Sequence, residues 1–119
     1  MSQRINALQN TIAYTNTTAK LIGYLPPNAF VIGVTCHVTT AFNDSTGAVV
    51  DVGISGTANY FADNIDVSSV ANAAVTLTKG AVVQSTTKPT PIYATYVGAT
   101  GDAATGSANI SIKFLFDEN

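Results

Sequence analysis

The sequence is short of almost every group that does chemistry. Its 119 residues include one cysteine, one histidine, one methionine and no tryptophan, and only 10% are Asp, Glu, Lys or Arg. An average globular domain carries roughly 25% charged residues. A single cysteine, Cys36, excludes an internal disulfide and suits a reducing compartment. A single histidine, His37, leaves no second imidazole and no spare thiol from which to build a zinc site. So few Glu, Lys and Arg residues exclude a coiled coil, and intrinsic disorder is excluded because it needs low hydrophobicity and high net charge. No run approaches the ~18 apolar residues of a membrane helix, and the first residues, MSQRINALQNTIAYTN, have no apolar core of a signal peptide. Neither a membrane nor a nucleic acid is therefore an expected partner. The formal net charge is −2, and the five basic residues (Arg4, Lys20, Lys79, Lys88, Lys113) are scattered rather than gathered into a phosphate-binding patch.

What is abundant is small, β-branched and apolar. Hydrophobic residues make up 46% of the chain, and mean hydropathy is +0.26. From Ile32 to Phe42 the even positions (Ile32, Val34, Cys36, Val38, Thr40, Phe42) are set against Gly33, Thr35, His37, Thr39 and Ala41, the period-two pattern of a half-buried strand. Pro26-Pro27-Asn28 and Asn43-Asp44-Ser45-Thr46-Gly47 bound it as turns. Val50, Val52 and Ile54 share one face of the next segment, which predicts a hairpin with the first. Weaker alternation runs through 20–25, with Leu21, Gly23 and Leu25 on one face, and through 73–83. It returns in 91–97 (Ile92, Ala94, Tyr96 inward) and 107–116 (Ala108, Ile110, Ile112, Phe114, Phe116 inward). The Gly/Ala/Thr-rich stretch 98–106 is expected to join the last two as a hairpin loop. Six to eight short strands without helical periodicity predict an all-β, single-domain antiparallel β-sandwich of jelly-roll type. Residues 1–19 form an N-terminal arm or a first strand, and 20–119 form the sandwich.

Candidate chemistry fails residue by residue. Cys36 and His37 are adjacent on a strand and so point to opposite faces, which leaves the thiol without an activating base. Asp44, with Asn43 and Ser45, reads as an Asx turn. Asp63-Asn64-Ile65-Asp66 offers oxygens but lacks the ligand spacing and glycine of an EF-hand loop. The three Asn-X-Ser/Thr triplets read as chance in so Asn- and Thr-rich a chain. No enzyme, cofactor or metal is expected. The outward positions carry more information. Alternation places Val31, Tyr24, Tyr93, Val97 and Leu115 away from the core, and Tyr60 and Phe61, being adjacent, cannot both enter one core from an extended segment. Low charge together with outward aromatics favours lasting protein–protein contact.

Residues 25–43 (LPPNAFVIGVTCHVTTAFN), 49–56 (VVDVGISG) and 59–70 (NYFADNIDVSSV), together with 91–116, resemble in their order the small capsid decoration, or cement, proteins of tailed bacteriophages. The resemblance spans residues 20–116. It implies a non-enzymatic protein, made in the bacterial cytoplasm, that sits on the outer surface of a mature head. There it would bridge neighbouring capsomers of the major capsid protein, itself a homo-oligomer with a trimer favoured over a dimer. Tyr60, Phe61, Tyr93, Val97 and Leu115 are the candidate contact residues, with Ser2–Thr15 as a possible clamp. Two alternatives stand beside this reading. One is a tail or head–tail connector component. The other is a host-glycan-binding jelly roll using Asn59, Tyr60, Phe61 and Asp63.

Overall fold

A computed structural model of the chain describes residues 2–45, 47–70, 72–75, 77, 85–98 and 103–118. Among these the chain forms eight strands and no helix: β1 (Ser2–Ala13), β2 (Lys20–Leu25), β3 (Phe30–Thr40), β4 (Ala48–Ile54), β5 (Thr57–Asp66), β6 (Asn72–Val75), β7 (Thr90–Gly98) and β8 (Ser107–Glu118). Two four-stranded sheets face each other, in the orders β1-β8-β3-β6 and β2-β7-β4-β5, and every pairing is antiparallel. Strands pair as β1 with β8, β2 with β7, β3 with β6 and β4 with β5. This is one long hairpin rolled over on itself, the jelly roll.

That topology corrects two local expectations. Segments 32–42 and 49–54 do not form a hairpin: β3 lies in the first sheet and β4 in the second, where it pairs with β5 and β7. Strands β7 and β8 likewise belong to different sheets, so 98–106 crosses between sheets instead of closing a hairpin. In this arrangement β4 and β5 are the sequential neighbours that share a ladder, turning at Ser55-Gly56, where Gly56 has φ 85°. Residues 2–13, read as arm or first strand, are β1, paired along their length with β8 from Ser2–Glu118 to Ala13–Ser107. The alternation read over 73–83 coincides with β6 at its start, and most of the remainder lies outside the described residues.

Apolar residues from both inner faces make one core. Ile92, Ala94 and Tyr96 of β7 and Ala108, Ile110, Ile112 and Phe114 of β8 are buried in the expected alternation. Bulges break it elsewhere. In β3 the register shifts between Val31 and Gly33, so Val31 is fully buried while Ile32 is 39% exposed, the reverse of the sequence reading. A second shift, between Val38 and Thr40, leaves Thr40 outside. In β2 the shift between Leu21 and Gly23 turns Ile22 and Leu25 inward and Leu21 and Tyr24 outward. An inserted residue flips the face of everything beyond it.

Asn43 ties two crossovers together. Its side-chain oxygen accepts the amides of Ala104 (2.6 Å) and Thr105 (3.0 Å), and its own amide donates to the Thr105 carbonyl (3.3 Å). At the same place Gly106 (φ 152°) lies against the Phe42 ring, where a Cβ would come within 2.5 Å.

Candidate functional site

The structure separates the candidate contact residues. Tyr93 and Val97 share the outer face of the β2-β7-β4-β5 sheet, two positions either side of Thr95. Leu115 lies on the opposite side of the sandwich, between Ile5 of β1 and Phe30 of β3 in the ladder. Tyr60 is half-buried on β5 and packs edge-on against Phe61, with centroids 5.1 Å apart. Phe61 is fully buried and belongs to the core, so of the two candidate contact residues on β5 only Tyr60 has a ring near the surface. The pair therefore alternates as a strand requires, one ring in and one half out. With Phe61 inside, Asn59, Tyr60, Phe61 and Asp63 do not form a groove with two exposed rings.

Three exposed apolar residues on strands were not singled out by sequence: Ile5 (69% exposed), Ile32 and Leu21 (37%); Val70, beyond the end of β5, is a fourth. Two of them owe their position to the bulges in β2 and β3, and the glycine that follows each bulge was the available signal. Together these residues define two faces. On the first sheet Ile5, Leu115 and Phe30 stand in one row, with Ile32 beside them. On the second, Leu21 pairs with Tyr93, Tyr24 with Pro91, and Val49 with Val97, so a strip of apolar and aromatic groups runs along β2 and β7.

Along β4 and β5 that strip borders carboxylates. Asp51 pairs with Thr95, between the rows of Tyr93 and Val97. A bulge in β5 sets Asp63 and Asn64 opposite it, with Asn64 in the left-handed region at φ 55°. The Asn64 amide donates to Asp51 Oδ1 (2.8 Å), and the Asp63 carboxyl lies within hydrogen-bonding reach of Asp51. Partial burial pushes the Asp51 pKa above the ordinary carboxylate range; the Asn64 amide opposes this and the charge of Asp63 reinforces it. Asp66 follows on the same face, paired with Val49. It accepts the Ser68 hydroxyl and amide, which hold its carboxyl below the usual range. The stretch that offers oxygens without the spacing of a calcium loop is thus a bulged strand. Among the described residues no group of three His, Cys, Asp or Glu side chains converges as a metal site.

Catalytic geometry is equally scarce. Cys36 is 1% exposed, and burial raises its thiol pKa to about 11, while His37 lies on the exposed outer face of the same strand. Asp44, read as part of an Asx turn, is buried beside Gly98 and Tyr96.

Neither a known family profile nor a curated protein sequence matches the chain. Solved structures do. A chain of the cyanophage Pam1 capsid asymmetric unit superposes with a TM-score of 0.74 at 18% identity, over 97% of this chain and 86% of that one. A chain of the acid-stable capsid of Helicobacter pylori bacteriophage KHP30 superposes with a TM-score of 0.70 at 17% identity, over 98% and 94%. The chain has the fold of phage capsid chains.

Proposed function

We propose that this protein is a non-enzymatic component of a phage virion that binds the outer surface of the mature head and bridges neighbouring capsomers of the major capsid protein. The whole-chain likeness to chains of two phage capsids carries this reading. The physics of the surface supports it. Strand edges and apolar outer faces on a stiff sandwich, with few charges to desolvate, suit permanent contact. A ligand that binds only the expanded shell stabilises that state by mass action. The same apolar faces favour a closed homo-oligomer, with a trimer suiting a three-fold seam.

The test compares decorated heads with heads lacking this protein under heat or osmotic shock, scoring DNA release. Bare heads should assemble yet release DNA at lower stress. Equal retention by both overturns the reading.

A further inference from the structure

The two outer faces differ in charge, and that difference selects between them. Strands β2, β7, β4 and β5 carry three carboxylates, Asp51, Asp63 and Asp66, and one cation, Lys20. The Lys20 amine is turned away to the Thr11 carbonyl on β1. Asp51 and Asp63 therefore sit side by side beside Tyr93 and Val97, without a cation from their own sheet. A cleft of about 320 Å³ lined by Ala19, Ile54, Gly56, Ala58, Tyr93 and Thr95 opens next to them, room for one large side chain.

Taking the capsid reading as its basis, we infer that the outer face of the β2-β7-β4-β5 sheet is the surface that meets the shell. The shell protein would present arginine or lysine to the Asp51–Asp63 pair, with apolar contact along Tyr24, Leu21, Tyr93 and Val97. Guanidinium groups suit both halves of such a site, since they bind carboxylates in bidentate fashion and stack on aromatic faces. A second copy of this chain joined face to face is the poorer occupant. An isologous contact through this face brings no free cation from these strands, so it would bury the carboxylates without opposite charge, which is costly.

The experiment measures binding of the full chain to expanded phage heads lacking it. The double variant Asp51→Asn/Asp63→Asn removes charge with little change of shape. Tyr24→Ala removes an exposed ring, Tyr24 being 57% exposed. Lys113→Glu, on the other sheet, is the control. The first two should each weaken binding by about tenfold or more, with melting temperature not lowered, and added salt should weaken wild type more than the double variant. Lys113→Glu should bind as wild type. If both variants of this sheet bind as wild type, the face assignment is overturned and the capsid reading stands. If wild type does not bind heads at all, both fall. If the double variant instead changes the sedimentation of the free protein, this face joins copies of the chain and the inference is overturned.

Discussion

Cys36 is the residue whose environment makes the plainest demand on solution behaviour. It lies inside β3 between Ala73 of β6 and Ile110 of β8, and burial pushes its thiol pKa up from 9.0 to about 11. The folded state thus holds its proton more tightly than the unfolded state. Its contribution is complete below pH 9 and is lost as pH rises through 9 to 11, by at most about 2–3 kcal/mol. Melting temperature should fall more steeply over that window in wild type than in Cys36→Ala, whose curve starts lower because a small cavity has been opened. Parallel curves would show that burial does not hold this proton. The same scale explains why Phe61 is a poor probe of binding. Removing a fully buried ring costs about 3–5 kcal/mol of folding stability, which would hide any effect on a partner, whereas Tyr24 can be cut back with little cost to the fold.

Among elements, β1 is the informative one, because it is an open edge that does not behave as one. An antiparallel edge strand leaves every second amide unpaired. Here Asn6 Oδ1 accepts the Ala7 amide (2.8 Å), Asn10 Oδ1 the Thr11 amide (2.8 Å) and Asn16 Oδ1 the Ala13 amide (2.7 Å). Asn10 also donates through Nδ2 to the Leu21 carbonyl of β2 (3.2 Å), clipping the edges of the two sheets together. Replacing Asn10 by Ala should cost about 1 kcal/mol, lower the melting temperature by about 3–6 °C, and raise concentration-dependent association on sedimentation. An unchanged association profile would mean the clip is not what closes this edge. Strand legibility followed the bulges. Alternation found the inward residues of β7 and β8, which run unbroken opposite their neighbours, and failed in β2 and β3, where one extra residue reverses the parity. The Asp51–Asp63 pair escaped for the same reason: only the bulge at Asn64 brings Asp63 opposite Asp51.

At the scale of the molecule, the jelly roll was legible and its pairings were not. Strand count, short turns and the absence of helices point to a sandwich, but partner choice in this topology is non-local. Short separations such as 43–47 suggested hairpins where the chain crosses between sheets. What holds those crossings is specific contact, the Asn43 bonds to Ala104 and Thr105 and the Phe42–Gly106 approach, which no periodicity reveals. Tyr24, Tyr93 and Val97 were readable as outward because their strand faces are set by burial. The acidic border along β4 and β5 needed the fold.

The β1–β8 ladder sets Ser2 directly across from Glu118, about 5 Å apart at that spacing. The chain can therefore be rewired into a different linear order without moving an atom of the sandwich. A short glycine-rich joint from Glu118 to Ser2, with new ends cut in the exposed Ser55-Gly56 turn, gives a circular permutant in which β8 and β1 become a local hairpin. The joint makes β1–β8 a local pairing, while the cut makes β4–β5 the most distant one, so the mean separation of paired residues changes little and the permutant should refold at a rate close to that of the parent, with the far-ultraviolet spectrum unchanged. Much slower refolding would mean that the local β4–β5 hairpin forms at or before the rate-limiting step. Tags joined at Ser2 and Glu118 would leave from the same end of the sandwich and lie side by side on one copy.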